Sequence, residues 1–184
     1  MTTVFVAGSI AIKKIHPFFK ERLSNIVDLG FDVVVGDADG ADSSIQQALF
    51  ELGAEKVTVY CTGSRPRNNI GSWIVHTVIS DAEPGTRKFF TAKDLEMAGA
   101  ADFGLMLWDT KSTGTLSNVL ELLRLSRKSA VFINKNKQFI NIKSADDLDT
   151  LINTMSETAR HKAEDKIGLA RKIGALRNMQ LELT

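Results

Sequence analysis

The chain has 184 residues, 43% of them apolar, and its 23 lysines and arginines against 22 aspartates and glutamates leave a formal net charge of +1. That length suits one domain with a sizeable core, that composition excludes disordered and fibrous classes, and so even a balance speaks against a protein that wraps duplex nucleic acid. A single cysteine, Cys61, rules out an internal disulfide and a cysteine-rich zinc site, and the three dispersed histidines give no metal-ligand spacing. No apolar run reaches the roughly 18 residues of a membrane helix and the N-terminal segment lacks the order of a secretory leader, so a cytoplasmic protein is expected.

The run from Thr3 to Ala7 is β-branched and aromatic, ends at Gly8-Ser9, and predicts a strand. From Pro17 to Leu29, Phe19, Leu23, Ile26 and Val27 recur at helical spacing until Gly30 stops the pattern. The unit then repeats, with a strand at Asp32 to Val35, a turn through residues 36–42, a helix from Ser43 to Leu52 and a third strand from Lys56 to Cys61. Continuous apolar strands alternating with helices predict a mainly parallel sheet covered on both faces, an α/β sandwich. Thr62 to Lys88 is irregular, and only Trp73 to Ile79 could form a strand there. Beyond it the pattern predicts a helix near Thr91 to Gly99, a strand from Phe103 to Trp108, a helix from Thr115 to Arg127, a strand from Ala130 to Asn134 and an edge strand from Gln138 to Ile142. Ala145 to Met155 reads as helical, and the stripe Ala159, Ala163, Ile167, Ala170, Ile173, Leu176 and Met179 predicts one further helix of about 40 Å. The expected organisation is a nucleotide-binding domain over residues 1–143 and a helical extension over 144–184, packed on that domain or on a partner subunit.

In an open parallel sheet, ligands bind beyond the carboxyl ends of the strands, where loops meet helix N-termini. Gly8 and Ser9 there offer a close backbone approach and a hydroxyl, or a plain turn. In the segment Gly36 to Asp42, Asp42 suits a helix N-cap and Gly40 a turn. Three aspartates, Asp37, Asp39 and Asp42, still exceed what capping needs and suit sugar hydroxyls, a divalent cation or plain solvation. Gly63 to Asn69 carries Arg65 and Arg67 with no acid nearby in the chain; guanidinium forks match phosphate oxygens, and a solvated basic loop is the alternative. Trp73 beyond them could stack on a base or pack in the core. In the last loop, Gly114 and Thr115 open a helix after a buried strand and present N–H groups and a hydroxyl to an anion, with Asn118 one turn further on. Asp109 could hold a sugar or merely close the turn.

The order of these features, Gly8-Ser9 after the first strand, a glycine-bracketed turn ending Gly40-Ala41-Asp42 after the second, then Ala101-Asp102, Gly104 and Trp108-Asp109 followed by Gly114-Thr115 and Asn118, resembles the SLOG superfamily of Rossmann-like nucleotide-binding proteins. That superfamily includes the lonely-guy phosphoribohydrolases and lies close to the nucleoside 2-deoxyribosyltransferases. The resemblance spans about Val4 to Asn134 and implies a Rossmann-like three-layer sandwich. It also implies that Gly8, Ser9, Gly36, Gly40, Asp42, Gly114 and Thr115 surround the phosphate and ribose of a nucleotide. The chain departs from the hydrolases where they carry an Arg-Lys pair before a methionine, here Lys93 and Asp94 before Met97, and a glutamate after the Gly-Thr, here Asn118. An amide cannot serve as a carboxylate base or nucleophile.

Two functions are therefore expected in order. The first is a binding or sensing module for a nucleotide or NAD-derived ligand. The second is an enzyme that hydrolyses or transfers an N-glycosidic bond, with Asp39, Asp94, Glu96 or Asp109 as the carboxylate that such an oxocarbenium-like reaction requires. The expected partner is a small nucleotide-like ligand, with no duplex nucleic acid and no membrane, in a homo-oligomer. No cofactor is expected, magnesium at the aspartates being the alternative. The acid-only stretch from Leu23 to Glu55 and the arginine-bearing, acid-free stretch from Thr62 to Ser80 would form opposite walls of the site.

Overall fold

A computed structural model describes residues 1–182 of the chain, with side chains through 179. The apolar runs form strands β1 (Thr3–Gly8), β2 (Asp32–Gly36), β3 (Val57–Thr62), β4 (Ile74–Val78), β5 (Phe103–Trp108), β6 (Lys128–Ile133) and β7 (Gln138–Ile142) of one sheet, ordered β4-β3-β2-β1-β5-β6-β7. All neighbours pair in parallel except β6 and β7. Alternation along each strand divides the core in two. Val4, Val6, Val33, Val35 and Val59 face α1 (Pro17–Asp28) and α2 (Ala41–Glu51). Phe5, Ala7, Val34, Met106 and Trp108 face the other layer, made by α3 (Arg87–Ala100), α4 (Thr113–Arg124), α5 (Asp147–Ile152), α6 (Glu157–Ile167) and α7 (Leu169–Glu182). The result is a Rossmann-like three-layer α/β sandwich with additional C-terminal helices.

Caps account for the boundaries that periodicity placed a few residues off. Thr86 and Ser112 accept hydrogen bonds from Phe89 N and Thr115 N, starting α3 and α4 ahead of their apolar stripes. The cap of α2 is Gly40, and Asp42 lies inside the first turn instead of capping it. The single C-terminal helix anticipated from the apolar stripe is two. Gly168 adopts the left-handed conformation with φ 61°, and its N–H donates to the Glu164 carbonyl. The chain turns there, and Ala159, Ala163, Leu169 and Leu176 from α6 and α7 join the core that contains Met106 and Trp108. Among the described residues, no helix is long and apolar enough to cross a membrane.

Candidate ligand site

The strand order reverses direction at β1. The chain steps from β1 through β2 and β3 to β4 on one side, then returns by α3 to β5 on the other. The carboxyl ends of β1 and β5 thus border the crevice where open α/β sheets bind ligands. Two helix N-termini converge there from opposite layers. Gly8 is held so close to α2 and β5 that a Cβ added to it would lie 2.7 Å from Ala41 Cβ and 2.7 Å from the Leu107 carbonyl. On the other layer, the Ser9 and Thr115 hydroxyls are 3.2 Å apart. Gly40, with φ 78°, packs directly beneath the Ile10 carbonyl, so the loop after β1 rests on the start of α2.

Asp109 organises the opposite rim. Its Oδ1 accepts from Ser9 Oγ at 3.1 Å, Lys111 N at 2.9 Å and Ser112 N at 2.7 Å, while its own N–H donates to Ser9 Oγ at 3.1 Å. These bonds hold Thr110 at φ 64°, a costly conformation for a β-branched residue that persists only where its surroundings impose it. Gly114 differs from the other site glycines. It sits in the first turn of α4, partly exposed, and an added Cβ would meet nothing closer than Ser112 Oγ at 3.8 Å. Packing does not demand a glycine there, and in a helix it costs roughly 0.5–1 kcal/mol relative to alanine.

Beside this crevice, at the ends of β2 and β3, lies a buried ionic cluster. Lys93 of α3 and Asp42 of α2 approach from the two helical layers and meet over Gly36, where any side chain would strike the Asp42 carboxylate and come within 2.6 Å of Lys93 Nζ. Lys93 Nζ lies 2.9 Å from Asp94 Oδ1, 3.9 Å from Asp42 Oδ2 and 4.0 Å from Asp37 Oδ1. Asp37 also takes the Arg67 guanidinium in two bonds of 3.0 and 2.8 Å and the Arg67 backbone N–H at 3.0 Å, while Arg67 stacks 4.7 Å above the Phe90 ring. Burial alone would raise the Asp37 carboxyl, but the bonds and charge of Arg67, with Lys93 behind them, hold it below the usual carboxylate range. Asp42 goes the other way: burial pushes it up to about 6 even against the Lys93 charge. Burial works against the Lys93 ammonium too, yet Asp94, Asp42 and Asp37 keep its pKa above the ordinary value.

The structure brings Gly8, Ser9, Gly40, Asp109, Gly114 and Thr115 to the crevice, and Gly36, Asp42 and Arg67 to the cluster beside it. Arg67 was expected to face a phosphate with no acid nearby; across the fold, 30 residues away in the chain, Asp37 is its partner. The acidic and basic stretches are therefore joined by one ion pair, Arg67 with Asp37. Asp39 is exposed and accepts from Asn68 Nδ2, and Arg65 is exposed with no ion pair among the described residues. Asn118 is buried one turn into α4. Glu96 stands apart, bonded to His76 at 2.8 Å. Trp73 donates to the Ala54 carbonyl, before the start of β3 and so at the opposite end of the sheet. Each candidate carboxylate, Asp39, Asp94, Glu96 and Asp109, already holds a hydrogen-bond partner within the chain. Among the described residues, no group of three histidines, cysteines, aspartates or glutamates could hold a metal ion. Sequence reading missed Asp37 as the partner of Arg67, Lys93 as a buried charge, and Thr110. Lys93 had left a signal, since it falls four residues before Met97 and three after Phe90, on the core-facing side of its helix.

No family model and no curated protein sequence matches the chain. Among solved structures, the fold is similar to that of DNA processing protein A from Helicobacter pylori, described for its single-stranded DNA binding mode. The TM-score is 0.51 at 17% identity, over 71% of this chain and 64% of that one. This likeness concerns the fold, and the chain spans less than two thirds of that protein's length. It corrects one expectation. A small ligand to the exclusion of nucleic acid does not follow from a net charge of +1, because a protein with this fold binds single-stranded DNA. Single-strand binding in general uses a local charged groove, which a net charge of +1 over the whole chain does not exclude.

Proposed function

We propose that the protein binds nucleotides at the β1/β5 crevice, as the resemblance to SLOG proteins implies. The observation that carries this reading is the convergence of two helix N-termini, α2 and α4, on the end of β1 at the point where the strand order reverses. Aligned helix dipoles favour a phosphate at such a place, and the partly exposed Gly114 leaves open the space it would occupy. Arg65 and Asp39, both exposed on loops at the same carboxyl edge of the sheet, are the residues we assign to the phosphate and to the sugar hydroxyls. A free nucleotide and a nucleotide within a single strand present the same phosphate and sugar, and the single-stranded DNA binding of a protein with this fold agrees with either. Binding is favoured over glycosidic cleavage because Asn118 stands where the hydrolases carry a glutamate, and an amide cannot serve as a carboxylate base or nucleophile.

Calorimetric titration with nucleoside mono-, di- and triphosphates, NAD and a short single-stranded oligonucleotide tests the proposal. At least one should bind saturably, and Gly114→Asp, which places a carboxylate in the phosphate position, should weaken it by about tenfold or more without lowering the melting temperature. Arg65→Ala should weaken it less. No binding across the panel, or unchanged affinity in both variants, would refute the site. Chromatography of the same mixtures checks turnover, with free base as the outcome that would restore the glycosidase reading.

A further inference from the structure

α3 and α7 flank α4, and between them runs a cavity of about 820 Å³ whose lining extends to Asn118, one turn into α4, and to Asp94. Its floor is apolar, built from Leu120 and Leu176, which are buried, and from Leu95 and Met179, which are 56% and 39% exposed. Its rim is cationic: Arg87 and Lys88 stand on α3, Lys166 on α6, and Arg171 and Lys172 on α7. None of these five has an ion pair among the described residues. The two acids of the lining are already matched, Asp94 by Lys93 and Glu121 by a two-bond pair with Arg124.

We infer that this groove receives an amphipathic helix of a partner protein, with apolar side chains on one face and acidic residues along its flanks. Three helices that leave an apolar trough lack the fourth that would close it, and a helix packs into such a trough through residues at i, i+3, i+4 and i+7. The five cations on both sides select a partner of opposite sign and steer its approach. A single-stranded nucleic acid would use the cations as well, but it gains affinity by stacking bases on aromatic rings, and no aromatic side chain lines the groove. Met179 adds an adaptable surface to the floor.

The test is a display selection from a library of peptides of about four helical turns, run on the full chain and counter-selected on an Arg171→Glu, Lys172→Glu variant. Both residues are exposed, as is Leu95, so these variants and Leu95→Asp keep the fold. Enriched peptides should carry acids beside an apolar stripe of helical period. By fluorescence anisotropy they should bind the charge-reversed variant and Leu95→Asp about tenfold or more weakly, with nucleotide titrations of both variants unchanged. Failure to enrich, or enrichment of peptides without that pattern, overturns the inference. So does a single-stranded oligonucleotide, or a phosphatidylglycerol vesicle, that binds in place of the peptides and is lost on charge reversal but not in Leu95→Asp.

Discussion

Asp42 lies over Gly36 with its carboxylate shut from water and the Lys93 ammonium 3.9 Å away, and its side chain accepts a hydrogen bond from Ala38 N. The folded chain holds the Asp42 proton up to about pH 6, whereas an unfolded chain releases it near 3.8. Between those values the native state binds more protons than the unfolded state, so stability falls as pH rises through the window. A shift of that size corresponds to about 3 kcal/mol in order of magnitude. Asp37, Glu51, Glu121 and Asp147 are shifted downwards, and their contributions, opposite in sign, begin to fade as pH falls through the ordinary carboxylate values. Urea unfolding of the wild type and of Asp42→Asn at about pH 5 and about pH 6.5 therefore separates Asp42 from the rest. The wild type should lose stability between the two, and Asp42→Asn, which keeps an acceptor for Ala38 N, should remove most of that slope. An unchanged slope would show that the carboxylate is ionised throughout.

At the scale of elements, the loop after β1 and the start of α2 form one structure, because the Ile10 carbonyl rests on Gly40 while Gly40 holds φ 78°. Gly40→Ala meets both a backbone clash and a positive-φ conformation, φ 78° with ψ −119°, that L side chains rarely adopt. A loss of more than about 2 kcal/mol is expected, with faster amide exchange confined to residues 9–12 and 38–44, and uniform exchange would show that the two segments are not coupled. The same segments show what the sequence could tell. Strands β1, β2, β3 and β5 follow from uninterrupted apolar runs, and even β4 lies within the one part of Thr62 to Lys88 that could form a strand. Gly168 was visible as a residue but not as a break, because the apolar stripe continues in register on either side of it. The crevice residues are legible for a topological reason, being the first residues beyond parallel strands. The ionic cluster is not: Asp37, Arg67 and Lys93 are tens of residues apart, and nothing local says that β2, the loop after β3 and α3 bring them together.

For the molecule as a whole, the question is whether the C-terminal helices are an appendage or part of one cooperative core. Leu176 of α7 is 5% exposed and shares its apolar cluster with Trp108 of β5, which is 1% exposed, and with Leu116 and Val119 of α4 between them. Deleting most of a buried leucine costs about 2–5 kcal/mol, through lost burial and the cavity left behind. If α7 belongs to the core, Leu176→Ala must charge that cost to the unfolding of the entire sandwich. Circular dichroism, which follows all helices, and tryptophan fluorescence, which follows Trp108 and Trp73, should then report one coincident transition shifted to lower urea by the same amount. A helical extension with its own stability would give a different signature. The fluorescence midpoint would stay where it is in the wild type, and only part of the circular dichroism signal would move. One shared transition would also mean that the wall of the basic groove is as firmly held as the sheet, so that a partner helix would dock on a surface formed before it arrives.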